Sequence, residues 1–225
     1  MLRWQAPLLG WASWPDPAMD AKLAGAEVEP MLRRRLSPLA RGASWAAAQC
    51  WGGLSSVELV YASRHGELKR TVEVVQGLLK GEAASPTQFS LSVLNALPGI
   101  LSISRQDTSA ITAVSAGAET LGWGLLEACI RYGRSPSRPV LFLFAEEPAP
   151  QPFAVQKTDP ATPCGLAVLL GGGDGTRLQL TFDDSVRVDS PLPAAQVDAC
   201  LTALQGKGTA TWTGQRGSWT WTLLP

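Results

Sequence analysis

One stretch, residues 85–133, restricts what this chain can fold into more than any other. A run of small and β-branched residues at 110–115 is followed by Ala116-Gly117-Ala118 and then directly by an apolar segment at 119–132. This pattern predicts a short strand, a sharp turn and a buried helix. The apolar residues at 89–104 predict a second helix before the strand. A strand-turn-helix elbow of this kind lifts one side chain above a sheet, as nucleophile elbows do.

Uninterrupted apolar runs predict the centre of the sheet. Residues 139–145 and 164–170 carry almost no polar side chain, which is typical of strands covered on both faces by helices. We therefore predict an α/β fold with one mixed sheet of mostly buried strands flanked by helices and a C-terminal β-hairpin extension. The other predicted elements are strands near 8–11 and at 57–62, 177–182, 209–213 and 218–223, and helices at 30–51 with a break at Pro38, 68–79 and 194–204.

The C-terminal part of the chain is predicted to form two hairpins. Strand 177–182 is expected to pair with 164–170 through the glycine-rich turn at 171–175. The final hairpin alternates Thr with Trp, which places its tryptophans on one face. We interpret this face as core or edge cover, and a stacking platform for an aromatic or polyene chain is the alternative. The tryptophans of this face are Trp212, Trp219 and Trp221.

Composition narrows the functional classes. The chain has 225 residues, is 45% hydrophobic and 17% charged, and has a formal net charge of zero, which argues against nonspecific nucleic-acid binding. No apolar run approaches the roughly 18 residues of a membrane span, and residues 1–5 lack a signal-peptide core. We therefore expect a cytoplasmic protein without stable membrane insertion. Four scattered cysteines without a C-x-x-C pair indicate buried thiols, so we expect no metal site and no cofactor.

Two spaced motifs carry a family resemblance. Asn95-x-x-x-Gly99-x-x-Ser102-Ile103, followed about ten residues later by Thr112-Ala113-Val114-Ser115-Ala116-Gly117, resembles the first half of a β-ketoacyl synthase of the thiolase superfamily. In those enzymes a Thr-Ala-Cys-x-x-Gly elbow carries the nucleophilic cysteine, and Val114 stands in its place here. The resemblance extends to short β-ketoacyl synthase-like N-terminal domain proteins of aryl polyene and xanthomonadin-type pigment clusters, which are chain-length-factor-like.

The resemblance implies half of a thiolase-like fold that needs another sheet to cover it. It covers roughly residues 1–170, which we predict to be a ketosynthase-like half-domain, with 171–225 as strands, a short helix and the Trp-rich hairpin packed on the same domain. In the family the strand before the elbow pairs across the subunit interface. The implied interface with a full-length ketosynthase, in a heterodimer, comprises Phe89, Val93, Asn95, Ser102, Ala110, Thr112 and Val114.

The resemblance also implies a function without catalysis. Val114 can neither ionise nor attack, so the elbow of Val114, Ser115 and Gly117 is degenerate. The implied role is a chain-length-factor-like subunit of a 3-oxoacyl carrier-protein synthase in a type II fatty acid or polyketide pathway for aryl polyene-type pigments. A basic cluster is the implied docking surface for an acidic acyl carrier protein, and a solvated helix face is the alternative. The cluster consists of Arg33, Arg34, Arg35 and Arg41.

Two other functions stay open at this point. One is an acyl-thioester hydrolase or acyltransferase that uses Ser63 or Ser115 with His65, the only histidine, although a structural role of His65 explains it equally simply. The other is a homodimeric scaffold that binds acyl chains. Glu146 and Glu147 could be taken for a catalytic pair of carboxylates, but adjacent strand residues point to opposite faces. We therefore interpret them as a solvated strand end.

Overall fold

The computed structural model describes residues 1–17, 19–20, 24–154, 159–173, 175–189 and 195–225. Helices and strands alternate over most of this length. The helices are α1 (Pro30–Arg33), α2 (Pro38–Trp51), α3 (Leu68–Leu79), α4 (Pro86–Ser90), α5 (Ala96–Arg105), α6 (Thr120–Arg134) and α7 (Gln196–Leu204). The strands are β1 (Leu2–Trp14), β2 (Glu58–Ala62), β3 (Ile111–Val114), β4 (Val140–Glu146), β5 (Cys164–Leu170), β6 (Arg177–Asp183), β7 (Ala210–Thr213) and β8 (Ser218–Leu224).

The strands of the described residues form one mixed sheet. Its order is β3-β2-β4-β5-β1-β6-β8-β7. The pairs β2–β3 and β2–β4 are parallel, and the remaining pairs are antiparallel. Helices lie against it, so the predicted α/β class with a mixed sheet and a C-terminal hairpin is confirmed. Strand β3 lies at one edge of the sheet and β7 at the other.

Strand β1 joins the two parts of the sheet. It runs for 13 residues, far beyond the short strand predicted near 8–11. Its first half pairs with β6 and its second half with β5, with a register shift between Leu8 and Gly10. The predicted hairpin of 164–170 with 177–182 is therefore wrong, because β1 lies between these two strands. Of the turn predicted at 171–175, Asp174 lies outside the described residues.

Helix α6 is enclosed between two parts of the same sheet. On one side, a Cβ added to Gly124 would lie 2.6 Å from the Ala62 side chain, and on the other, a Cβ added to Gly122 would lie 2.5 Å from the Trp219 indole. Trp219 also packs against Trp123 and Phe182, with ring centroids 5.0 and 4.8 Å away. The expectation that another sheet must cover this half-fold is thus corrected for α6, since the chain's own C-terminal strands cover it.

The Trp face of the final hairpin belongs to the core. Trp219 and Trp221 are fully buried and Trp212 is nearly so, which confirms the interpretation as core cover. Large aromatic surfaces of this kind dominate the energetics of a core. The stacking-platform alternative would need exposed ring faces, and these rings do not have them.

The opposite face of the sheet carries α2 and α5. Gly42 of α2 lies so close to Trp14 that an added Cβ would be 2.1 Å from its indole. Pro38 begins α2 directly after the N-cap Ser37, whose side chain accepts a hydrogen bond from the Ala40 N–H, so the predicted break at Pro38 is confirmed.

The single helix predicted at 89–104 is wrong: residues 91–95 separate α4 from α5. None of the described helices is long and apolar enough to cross a membrane.

Candidate functional site

The elbow keeps its backbone shape. Strand β3 ends at Val114, and Gly117 then adopts a φ of +63°, a conformation that side chains with a Cβ rarely take. A 3₁₀ turn over Gly117–Glu119 leads into α6. The Thr120 hydroxyl accepts from the Ala116 N–H at 2.9 Å and donates to the Gly117 carbonyl at 2.7 Å. The turn is therefore fixed by its own residues.

The side chain at the elbow is aliphatic and packs inward. Val114 is half-buried and packs against the core cluster that contains α6. Its neighbour Ala113 packs against the cluster on the other face of the sheet, as strand alternation requires. A valine in this position has no group that ionises or attacks a thioester. The elbow thus presents a shape and no nucleophile.

The loop after β2 is held by a buried carboxylate. Glu146, 2% exposed, accepts hydrogen bonds from the backbone N–H groups of Arg64 and His65 and lies 3.4 Å from the Ser63 hydroxyl. The interpretation of Glu146 as a solvated strand end is therefore wrong. The loop folds over the end of β4 and supplies the donors that a buried carboxylate needs. Glu147 is half-buried.

Burial changes the acidity of Glu146. Desolvation raises its pKa to about 7, against the lowering effect of the Arg64 and His65 amides, and the Asp159 carboxylate raises it further. Such a shift follows when the charged form loses more hydration than its hydrogen bonds replace. The carboxyl group therefore titrates near neutral pH.

His65 is paired with a carboxylate and not with a serine. Its Nε2 lies 3.0 Å from Asp159 Oδ1, which also accepts from Arg64 Nη1 at 3.1 Å. The buried Ser63 hydroxyl accepts from the Gly66 N–H at 2.8 Å. The Ser115 hydroxyl donates to the Arg64 carbonyl at 3.1 Å, which ties the elbow to this loop. Within the described chain, neither serine hydroxyl is hydrogen-bonded to His65.

Space beside the elbow is scarce. A cavity of about 20 Å³ is lined by Gly117, Thr120, Glu146 and Gln196, among others. That volume holds about one water molecule and no acyl chain. The Gln196 side chain accepts from the Gly122 N–H at 2.9 Å, while its own Nε2 is buried without a hydrogen-bond partner. A bound water is the simplest ligand for this nitrogen.

The edge of the sheet at β3 offers more room. None of the four β3 residues is buried, and no strand of the described chain pairs with its outer side. Ile111 of β3 carries an exposed apolar side chain, and Phe89 (63% exposed) and Val93 are exposed in the segment that precedes α5. A pocket of about 330 Å³ opens between α5 and β3.

The residues predicted for the interface differ in their surroundings. Phe89, Val93, Asn95 and Ala110 are exposed, while Thr112 and Val114 are half-buried. Ser102 has a local role, because its hydroxyl donates to the Asp107 carbonyl at 2.6 Å. Sequence reasoning missed Ile103 and Ile111, whose apolar side chains are exposed. The sequence contained the signal for Ile111, because the side chains of Ile111 and Thr112 point to opposite faces of the strand.

The basic cluster spans two helices. Arg34 and Arg35 are exposed, while Arg33 and Arg41 are half-buried beside the turn at Gly25. The guanidinium of Arg70 donates to the Arg35 carbonyl at 2.6 Å and pairs with Glu67 at 2.8 Å. The exposed part of the cluster is therefore the Arg34–Arg35 pair.

The cysteines lie away from the elbow as free thiols. Cys129 and Cys200 are buried, and Cys50 and Cys164 are half-buried. Burial raises the pKa of the Cys50, Cys129 and Cys164 thiols to about 12 and raises the pKa of Cys200 as well. These thiols are protonated at neutral pH and poor nucleophiles. In the part of the chain that the structure describes, no cluster of His, Cys, Asp and Glu has the size to hold a metal ion.

Comparisons with solved structures agree with the fold. A chain of the complex "Ketosynthase (ApeO) in Complex with its Chain Length Factor (ApeC)" from Xenorhabdus doucetiae is 26% identical with a TM-score of 0.80, over 97% of this chain and 99% of that one. "The ishigamide ketosynthase/chain length factor" is 15% identical with a TM-score of 0.59, over 90% and 73%. A β-ketoacyl synthase from Burkholderia phymatum is 10% identical with a TM-score of 0.54, over 78% and 54%.

Sequence comparison identifies the family. No curated protein sequence matches the chain. The model of the family described as "Beta-ketoacyl synthase, N-terminal domain" matches residues 8–222. This span extends beyond residue 170, where the motif resemblance was thought to end, and the division of the chain at that residue stays a prediction. Since the match takes in nearly the whole chain, the protein belongs to the β-ketoacyl synthase N-terminal domain family.

Proposed function

We propose that this chain is a non-catalytic, chain-length-factor-like subunit that pairs with a full-length β-ketoacyl synthase. The observation that carries the proposal is the elbow, whose backbone is kept while its reactive position holds Val114. Condensation by a ketosynthase needs an acylated thiolate. An elbow that retains its shape without a thiol fits a structural role beside a subunit that has one.

The bare edge at β3 supports pairing with another subunit. An exposed edge strand with apolar neighbours is a template for strand addition and a liability when left open. Ile111 on the strand and Phe89 and Val93 in the segment before α5 are exposed apolar side chains of the kind that an interface core requires. A strand of the partner that adds to β3 would pair the open edge and cover the exposed apolar side chains.

The similarity to one solved complex supports a subunit of such a pair. The similar chain from Xenorhabdus doucetiae is matched over 99% of its length, so the two chains are nearly equally long. That protein is part of a ketosynthase–chain length factor complex. In the proposed complex the ketosynthase partner supplies the catalytic cysteine, which the elbow of this chain does not carry.

The pathway and the carrier protein belong to the same proposal. The resemblance to pigment-cluster proteins supports the proposal that the complex acts in a type II pathway for aryl polyene-type products. Arg34 and Arg35, with Arg33 and Arg41 behind them, provide positive charge for an acidic acyl carrier protein. The exposure of Arg34 and Arg35 supports this docking role.

The experiment is co-expression of a tagged chain with the ketosynthase of the same gene cluster. We expect a complex with one copy of each subunit in native mass spectrometry. Condensing activity should disappear when the ketosynthase cysteine is replaced and persist in a Ser63→Ala, Ser115→Ala variant of this chain. A stable homodimer that never co-purifies with a ketosynthase would contradict the proposal and favour an acyl-chain scaffold.

The His65–Asp159 contact supports one competing function. A histidine oriented by a carboxylate is the base of hydrolytic triads. Here His65 Nε2 lies 3.0 Å from Asp159 Oδ1, so Nδ1 is the nitrogen that would have to face a nucleophile. The nucleophile is the missing element, because the Ser63 and Ser115 hydroxyls contact other groups. Incubation with an acyl thioester followed by intact-mass analysis separates the two functions. A stoichiometric acyl adduct on either serine would favour the hydrolase.

A further inference from the structure

The pocket beside β3 is shaped by the absence of a side chain. Its lining is Leu94, Asn95, Gly99, Ile111 and Ala113. Gly99 lies within α5, and a Cβ added there meets no heavy atom within 4 Å. The pocket therefore reaches the helix backbone, and any side chain at this position would fill part of it.

The pocket lies on one face of the sheet. Ile111 and Ala113 are alternate strand residues and share that face. Their partners in β2 are Leu59 and Tyr61, which are buried in the core cluster with Leu101 of α5. The inner wall of the pocket is thus backed by buried core residues, while its outer side ends at the unpaired edge of β3.

A strand that pairs with β3 must point side chains into this space. Paired strands lie about 4.8 Å apart and alternate their side chains between the faces. Residues of an added strand that face α5 would have Cβ atoms about 5 Å from those of Ile111 and Ala113. We propose that the pocket receives one or two bulky apolar side chains from the ketosynthase strand that pairs with β3, which makes Gly99 a specificity-determining position of the interface.

The surroundings of the pocket favour a protein strand as its occupant. Three of its five lining residues, Leu94, Ile111 and Ala113, are apolar, and the Ile111 side chain is exposed. Asn95 lies at the rim in the N-cap position of α5, yet its side chain makes no capping hydrogen bond. Its amide can therefore pair with the backbone of the added strand. Apolar side chains that fill a pocket beside a polar contact are typical of interface hot spots.

A second copy of this chain fits the pocket less well. Pairing of two β3 strands would bring Ile111 and Ala113 to this face, so one of the two positions would carry only a methyl group in a space of about 330 Å³. A partner with larger residues at these positions fills it better. This inference rests on the proposed function, because it specifies how the proposed ketosynthase binds.

The test is a cavity-filling pair of variants. Gly99→Leu places a side chain in the pocket, and Gly133→Leu is the matched control, because Gly133 is a helical glycine of α6 that also has no heavy atom within 4 Å of an added Cβ. Both variants should melt at the same temperature as the wild type or roughly 2–4 °C higher, since leucine favours a helix more than glycine does. Gly99→Ala is a milder variant that adds one methyl group.

The deciding measurement is the affinity of each variant for the co-purified ketosynthase. We expect Gly99→Leu to weaken the complex roughly tenfold or more, since overfilling a packed site is strongly unfavourable, Gly99→Ala to weaken it less, and Gly133→Leu to leave it unchanged. Equal affinity of the wild type and Gly99→Leu would overturn the inference and leave the proposed function intact. Unchanged affinity with a shorter acyl product would also overturn it, because the pocket would then hold the acyl chain. A wild-type chain that binds no ketosynthase contradicts the proposed function itself.

Discussion

Helix α6 and strand β3 adjoin in sequence but lie in opposite surroundings. Nine residues of α6 are buried, and Trp219 closes the side of the helix that faces away from β2 and β4. No residue of β3 is buried, and its outer edge has no strand partner within the described chain. The C-terminal strands thus complete one surface of the half-fold and leave the other open. Folding depends on the first surface, and we assign partner binding to the second.

The largest effect should come from opening the closed side. Trp219→Ala removes a fully buried indole that contacts Trp123 and Phe182. We expect a loss of about 3–5 kcal/mol in the free energy of unfolding, as for other buried aromatic residues. Denaturant unfolding followed by Trp fluorescence measures it. A loss below about 1 kcal/mol would show that the C-terminal strands do not hold α6.

The matched change on the open side should spare the fold. Phe89→Ala removes an aromatic side chain that is 63% exposed. We expect less than about 0.5 kcal/mol change in unfolding free energy and a roughly tenfold weaker complex with the ketosynthase. Isothermal calorimetry measures the affinity. If Phe89→Ala destabilised the isolated chain as strongly as Trp219→Ala, the contrast between the two surfaces would fail.

The pH dependence of stability tests the loop that supports the elbow. Burial raises the folded-state pKa of Glu146 to about 7 from an ordinary value of 4.5, so the folded chain binds the proton more tightly than the unfolded chain. The stabilisation is complete below pH 4.5 and is lost as the pH rises through about 7. Between pH 5 and 8 this amounts to about 2–3 kcal/mol.

The variant Glu146→Gln isolates this contribution. It cannot titrate, so its unfolding free energy should fall less between pH 5 and 8 than that of the wild type, apart from a constant offset from altered hydrogen bonds. Identical pH profiles for the two proteins would mean that Glu146 does not titrate in this range. The neighbouring side chains of Arg64, His65 and Asp159 are the same in both proteins.

The smallest effect should come from the basic pair. Arg34→Glu combined with Arg35→Glu reverses two exposed charges and should leave unfolding free energy and ketosynthase affinity unchanged. The association rate with an acyl carrier protein should fall severalfold at low salt and approach the wild-type rate near 1 M salt, where charges are screened. Stopped-flow kinetics at two salt concentrations measure this. A salt-independent loss would indicate disrupted structure instead of lost steering.

The sequence predicted the central strands and the elbow, because those signals are local. Continuous apolar runs define β4 and β5, and small residues before Gly117 define the turn. It did not predict the length of β1, whose apolar pattern is interrupted at Pro7 and Gly10, or that β1 separates β5 from β6. Register between distant strands is set by packing that no local pattern contains.

The burial of Glu146 was hidden for the same reason. Its donors are backbone N–H groups of residues 82 and 81 positions earlier in the chain. Any residue type except proline carries such a group, so the amino-acid sequence holds no signal for the contact. The basic cluster and the lost nucleophile were visible in the sequence because they depend on side-chain identity alone.

Hydrogen exchange at the two edges of the sheet tests the central claim most directly. The amides of Ile111–Val114 in β3 and of Ala210–Thr213 in β7 both lie on edge strands, and exchange reports the opening of each. On addition of the ketosynthase we predict strong protection of the β3 amides and unchanged exchange in β7. Unchanged exchange in β3 within a stable complex, or protection of β7 instead, would contradict the account.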